Sequence, residues 1–260
     1  MFSFRYGTVK KTRLFKTKDL CHKFPNGIWG LKDICFELYQ GEFLILAGPN
    51  GSGKTLLLQH LTGLLKPSSG EIRYRDIPLK KQIKKVRTEV ALVFQHPSHQ
   101  IIEQTVEDDA AFSLRFTTLA DKEVIRRVDH ILDFMGLSHL RKSLTHTLSG
   151  GEKKRLALAG VLVMQPRTIF FDEPFTELDF QGVKDLLKRI VQLKEQGITC
   201  CIVTHDISKT LAYADRMVCM LNGGIVFSGI PEKCLSDIEK YGIRNPLKKV
   251  LSVEDCTWLN

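Results

Sequence analysis

The sequence predicts an α/β protein with a mainly parallel sheet, an antiparallel β subdomain and an inserted α-helical subdomain. Three observations carry this. The short apolar runs Phe43-Leu-Ile-Leu-Ala47, Thr168-Ile-Phe-Phe-Asp172 and Thr199-Cys-Cys-Ile-Val-Thr204 read as strands buried on both faces. Alternating apolar positions, Ile34, Phe36 and Leu38 and then Ile72 and Tyr74, suggest strands with one buried face. Val124, Val128, Ile131, Leu132 and Met135 fall at helical spacing within a segment from about 96 to 160 that reads as the helical insertion. After His205 a helix is expected, and then a hairpin over Met217–Phe227 whose Asn222-Gly-Gly turn permits positive dihedrals. At 260 residues the chain fits one such domain over 1–232, followed by a polar, mixed tail over 233–260 to which the sequence assigns no role.

Between the first buried run and the helical pattern Leu56–Leu65 lies Gly48-Pro49-Asn50-Gly51-Ser52-Gly53-Lys54-Thr55. This matches the nucleoside-triphosphate loop G-x-x-x-x-G-K-[ST] in the strand-to-helix context that loop requires. Its glycines permit close approach and unusual dihedrals, so that successive amides point at phosphate oxygens from the positive end of a helix. Lys54 is expected on the β- and γ-phosphates, and Thr55 supplies a hydroxyl to Mg²⁺, which prefers a few hard protein oxygens. The run Thr168–Glu173 ends in two acids at the carboxyl end of a strand, where open α/β sheets bind ligands. Asp172 is expected in the Mg²⁺ shell and Glu173 beside an attacking water.

A second glycine-rich segment, Leu148-Ser149-Gly150-Gly151-Glu152, precedes the apolar run Leu156–Val163. Ser149 with Glu152 has the form of a helix capping box. Two glycines in a first helical turn are poor helix formers, which a cap alone does not explain; bare amides offered to an anion do. A chain needs only one such clamp to hold one nucleotide.

Together these motifs resemble the nucleotide-binding subunit of ATP-binding-cassette (ABC) transporters over roughly residues 15–232. The resemblance implies an ATPase of the P-loop type in which Ser149, Gly150 and Gly151 meet the γ-phosphate of ATP held by the opposite subunit, so that two chains sandwich two ATP molecules. It implies further roles by position: Gln95 as the glutamine that senses Mg²⁺ and water, Thr176-Glu-Leu-Asp179 as the loop containing the interfacial Asp179, His205 as the switch histidine, and Phe24 as the ring stacked on adenine. Glu177, Phe180 and Phe24 depart from the commoner residues at their positions, without removing a ligand. The stretch Phe94–Phe112 and the phrase Leu148–Leu162 are similar to the cobalt and energy-coupling-factor import group. That likeness implies a transmembrane coupling protein and a substrate-binding membrane protein as partners, a homodimer or heterodimer of ATPase subunits, peripheral attachment at the cytoplasmic face of the membrane, and a cobalt, nickel or vitamin cargo. Another ABC importer or an exporter shares all of this catalytic chemistry.

The net charge of +9 gathers in Lys10-Lys-Thr-Arg13 with Lys16 and Lys18, and in Lys80, Lys81, Lys84, Lys85 and Arg87. Such runs suit a solvated face, an anionic leaflet or nucleic acid. Only the basic balance favours a soluble nucleic-acid ATPase, and no nucleic-acid partner is expected. No run approaches the roughly 20 apolar residues of a membrane span, and the start Met1–Tyr6 lacks an apolar signal core. Seven scattered cysteines without a C-x-x-C pair read as reduced thiols of a cytosolic protein. His96 and His99 share a loop without a third ligand, which argues against a metal site of their own.

Overall fold

Buried apolar runs become the strands of a central sheet in a computed structural model that describes residues 12–248. Lys10 and Lys11 of the first basic run, the start Met1–Tyr6, and the tail from 249 onward lie outside the described residues. In chain order the elements are β1 (Arg13–Lys23), β2 (Trp29–Ile34), β3 (Glu37–Tyr39), β4 (Phe43–Ala47), α1 (Lys54–Leu61), β5 (Ser69–Tyr74), β6 (Ile77–Pro78), α2 (Ile83–Glu89) and β7 (Val90–Val93). There follow α3 (Val106–Ala111), α4 (Asp121–Met135), α5 (Gly150–Leu162), β8 (Thr168–Asp172), α6 (Phe180–Glu195), β9 (Thr199–Thr204), β10 (Arg216–Leu221) and β11 (Gly224–Gly229).

The central sheet has the order β11-β10-β4-β9-β8-β7, parallel throughout except for the β10–β11 hairpin. That hairpin turns on Asn222 and Gly223, both at positive φ (50° and 79°), as a two-residue turn matched to strand twist demands. A second, antiparallel sheet runs β2-β1-β5-β6 with β3 on β1.

Alternate side chains of each central strand serve two different cores. Ile45, Ile169, Phe171, Ile202 and Met217 face the side covered by α3, α4, α5 and α6. Leu44, Leu46, Phe170, Val203 and Val218 face α1 and the antiparallel sheet. There Phe15 bridges the two sheets, its ring 5.7 Å from Phe170 and 4.8 Å from Tyr74. The α4 stripe packs as its spacing predicts, with Val128, Ile131, Leu132 and Met135 buried and Val124 partly so. Buried Glu42 receives Arg216 in two contacts, 2.7 and 3.2 Å, which tie the start of β4 to β10.

Two local expectations change. The segment after His205 suggested a helix, and it forms two short 3₁₀ turns at Ile207–Lys209 and Leu211–Tyr213. The Asp206 carboxylate accepts from the Ser208 amide (3.1 Å) and hydroxyl (2.6 Å), a side-chain turn that competes with the helical ladder. Beyond Pro231, the polar-looking segment carries Cys234, Ile238 and Ile243 into the larger core, each at most 1% exposed. Gly242 at φ +73° then lays the backbone against the Pro49 ring, 3.3 Å from the position of a Cβ.

Candidate functional site

The loop between β4 and α1 owes its shape to residues that leave room. At Gly53 (φ +100°) a Cβ would stand 2.9 Å from the Gly30 carbonyl oxygen and from Leu31, so the close approach of β2 demands glycine there. At Gly51 (φ +77°) a Cβ would meet nothing, which leaves that corner open to solvent. Lys54 folds beneath the loop, its Nζ donating to the carbonyl oxygens of Gly48 (2.8 Å) and Pro49 (2.9 Å). Burial lowers the Lys54 ammonium from its ordinary range, while Glu173 and Asp172 pull the other way. A desolvated ammonium beside amides at a helix start is an arrangement for polyphosphate.

Opposite the loop, the end of β8 brings Asp172 within 2.8 Å of the Thr55 hydroxyl, which donates to Oδ2. The other oxygen, Oδ1, is buried without a hydrogen-bond partner among the described residues. Burial pushes the Asp172 carboxyl up, the Thr55 hydrogen bond opposes this, and the Glu173 charge adds to it. A bare carboxylate oxygen beside a hydroxyl, in a cavity that admits phosphate, fits a hard divalent cation such as Mg²⁺, whose shell takes few protein oxygens. Glu173 follows at φ +46°, a left-handed conformation unusual for its type. Its Oε1 accepts from the His205 backbone amide (3.0 Å) and lies 2.8 Å from His205 Nδ1.

An open cavity of about 610 Å³ collects Phe24, Asn50, Gly51, Ser52, Gly53, Lys54, Thr55, Gln95, Asp172, Glu173 and His205. Its volume lies in the usual range for small-ligand sites. Gly48 and Pro49 stay behind it as the carbonyls that hold Lys54. Phe24 stands at the mouth, 41% exposed, its ring edge-on to His22 at 4.8 Å. Half-buried Gln95 follows a strand end held by Gln100, which accepts from the Phe94 amide (2.8 Å) and donates to the Leu92 carbonyl (3.1 Å).

Ser149, Gly150, Gly151 and Asp179 do not line this cavity. Ser149 closes the capping box, with its amide donating to Glu152 (2.7 Å) and its Oγ accepting from the Glu152 amide (3.3 Å). A Cβ at Gly150 would meet nothing within 4 Å, and one at Gly151 would make only ordinary contacts. Asp179 caps α6 by accepting from the Gly182 amide at 2.7 Å.

Gly30 stands outside every motif of the sequence, Lys154 enters only within the phrase Leu148–Leu162, and Thr176 enters only as the first residue of the loop that ends at Asp179. At Gly30 a Cβ would lie 2.5 Å from the Leu56 side chain and 2.7 Å from the Phe24 ring, so glycine there lets both side chains pack against β2 undisturbed. Thr176 lines the cavity behind Glu173. Buried Lys154 of α5 donates to the carbonyls of Pro174 (3.2 Å) and Thr176, tying the second glycine segment to the loop that follows Glu173. Gly30 alone had a visible cue, a lone glycine between apolar residues at a strand start.

Comparison with known proteins adds to this geometry. A family model described as ABC transporter matches residues 31–176. The energy-coupling factor transporter ATP-binding protein EcfA of Methanocaldococcus jannaschii is 40% identical over 229 residues, covering 87% of this chain and 82% of that protein. Among solved structures, cbiO1 of Clostridium perfringens, described as part of the ABC transporter complex cbiONQ, aligns with a TM-score of 0.80 and 36% identity over 88% of this chain and 93% of its own. The ATP-binding cassette MJ0796, solved as a dimer in a post-hydrolysis state with ADP and Pi, aligns with a TM-score of 0.76 and 26% identity, covering 84% of this chain and 98% of its own.

Proposed function

The chain belongs to the ABC transporter ATP-binding family, an ATPase family, and from that membership we propose that it is the energy-coupling ATPase of an importer of the energy-coupling-factor type. In this reading ATP sits in the cavity with its phosphates on the amides of Gly51–Thr55 and on Lys54, and its base against Phe24. Thr55 and Asp172 would hold Mg²⁺, with Gln95 at its edge; when bound, the ion neutralises phosphate charge and orients the γ-phosphate. Glu173 polarises the attacking water, and His205, bonded to the same carboxylate, fixes its direction and reaches the γ-phosphate. Ser149, Gly150 and Gly151 close the site of a second chain, beside its Asp179.

One observation carries the shared site: the second glycine clamp lies outside the cavity of its own chain, and Gly150 faces open space that no packing explains. The likeness to a cassette solved as a dimer supports it. Among the described residues no helix is long and apolar enough to cross a membrane. Attachment at the cytoplasmic face would then come through a transmembrane coupling protein and a substrate-binding membrane protein. The proposed cargo, a cobalt or nickel ion or a vitamin, rests on the likeness of Phe94–Phe112 and Leu148–Leu162 to that import group; the relatives' names say only an energy-coupling factor transporter and the complex cbiONQ.

Glu173→Gln tests the assignment. The amide oxygen still accepts from His205, so ATP binding persists while hydrolysis falls by about 100-fold or more, the scale of a lost general base. Size-exclusion chromatography with ATP then shows a trapped dimer. Rapid turnover by this variant, or a monomer at saturating ATP, overturns the reading.

A further inference from the structure

A cavity outside the nucleotide site lies on the antiparallel-sheet side, between the end of α1, β5 and the segment leading into α2, with a volume of about 690 Å³. Its floor is apolar, formed by Leu65, Ile72, Leu79 and Ile83. Its rim carries Lys66, Lys80 and Arg87. None of the three has an ion-pair partner among the described residues, and Glu71, the acid of the lining, is already engaged by Arg73 at 2.9 Å. Glu89 at the end of α2 is likewise taken by Arg75 at 3.3 Å. The exposed Lys81, in the turn before α2, and the exposed Lys84 and Lys85 on α2 add positive charge beside the cleft. Unpaired cations around an apolar cleft match an amphiphile with an anionic head.

We propose that this face is a docking surface for an anionic phospholipid bilayer, with headgroup phosphates on Lys66, Lys80, Lys84, Lys85 and Arg87 and an acyl segment against Ile83 and Leu79. The charge complementarity selects the occupant. Four of these five cations are lysines, compact point charges on flexible stems without the planar fork that reads a fixed carboxylate, and this suits fluid headgroups better than one acidic peptide. The inference goes beyond the transport reading, since it concerns direct lipid contact by this chain with no membrane partner present.

The full chain is mixed with vesicles of phosphatidylcholine alone or of equal parts phosphatidylcholine and phosphatidylglycerol, and the sedimented fraction is measured across a salt series. The expected result is binding to the anionic vesicles only, weakening as salt rises. The triple change Lys80→Gln, Lys84→Gln, Lys85→Gln lowers partitioning about 100-fold, from roughly fivefold per lost cation at a membrane surface. The change Lys122→Gln, Lys188→Gln, Lys233→Gln removes the same charge elsewhere and leaves partitioning within about twofold if proximity to the patch decides it. Ile83→Ser, with every cation intact, weakens binding severalfold. Equal binding to both vesicle types, an equal loss in both triple variants, or capture of polyglutamate without capture of vesicles each overturns the proposal. ATP turnover measured in vesicle-free buffer reports separately on the ATPase reading, and it stays unchanged in the Lys80, Lys84, Lys85 variant.

Discussion

Asp172→Asn separates what the folded chain costs from what its ligand requires. Asp172 is 4% exposed, has one oxygen on Thr55 and one bare, and faces a second carboxylate, so its charge is held at a loss offset only in part by Lys54. Replacing it by an amide of the same shape removes the charge and keeps an acceptor for Thr55; the gain for the ligand-free protein is about 1–2 kcal/mol. For a chain of this size that corresponds to a rise in Tm of about 2–6 °C. The sign with pH follows from the raised carboxyl. Its folded form takes a proton at higher pH than the unfolded chain does, so the native protein sheds this penalty as pH falls through the raised value, and the two melting curves converge in acid. Magnesium and ATP act oppositely. At about 100 times Kd the ligand adds about 2.7 kcal/mol to the native protein, and the Mg²⁺-dependent share of that gain disappears in the variant. Differential scanning fluorimetry with buffer, ATP plus chelator, and ATP plus Mg²⁺ at two pH values resolves all of this. A lower Tm for the ligand-free variant, or an intact Mg²⁺-dependent shift, refutes the reasoning.

Gly30→Ala drives a methyl into Phe24 and Leu56, of which Phe24 sits at the cavity mouth and can swing outward; KM for ATP is expected to rise about fivefold, the worth of one ring contact. Tm should fall by no more than a few degrees, and a large Tm loss with unchanged KM would contradict this. Burial lowers the imidazole of His60 from 6.5 to about 4, with His22, 3.0 Å away, adding to the shift. Stability from this group is therefore present above 6.5 and lost as pH falls towards about 4, up to about 3 kcal/mol, and urea unfolding at several pH values should show His60→Leu without that slope. Gly150→Ala adds a methyl that meets nothing and improves a helix start, so stability is expected to hold or rise by about 0.5–1 kcal/mol while the ATP-dependent dimer of the Glu173→Gln background is lost. Persistence of that dimer on size-exclusion chromatography counts against the shared site.

What could be read from the sequence tracks how local its cause is. Phe43–Ala47 and Thr199–Thr204 are strands at the bounds their apolar runs set, because every residue of each is buried and no competing interaction exists. The Asn222-Gly223 turn is legible for the same reason, since φ > 0 is a property of the residues themselves. The segment after His205 was misjudged because one carboxylate, Asp206, redirects its backbone. The burial of Cys234, Ile238 and Ile243 was invisible because three apolar residues at irregular spacing form no pattern until the core beneath them exists. Gly30 and Lys154 act across contacts with Phe24, Leu56, Pro174 and Thr176 that chain connectivity alone does not specify.

The two glycine segments look alike in sequence and differ in physical cause. Gly53 is compelled from within, since the Gly30 carbonyl and Leu31 occupy the space of its side chain. Any protein with this strand and loop would need it, whether or not it bound a nucleotide. Gly150 is compelled by nothing among the described residues, and it costs helix stability in a turn already closed by a capping box. A residue that weakens its own element without relieving any internal contact calls for a cause outside the chain. An anion presented by a second molecule supplies one, because it needs the bare amide that a side chain would cover. Lys154 would give that proposed contact a route inward: it spans α5 and the carbonyls of Pro174 and Thr176, one and three residues past Glu173, so a molecule docked on Ser149–Gly151 would also bear on the carboxylate bonded to His205.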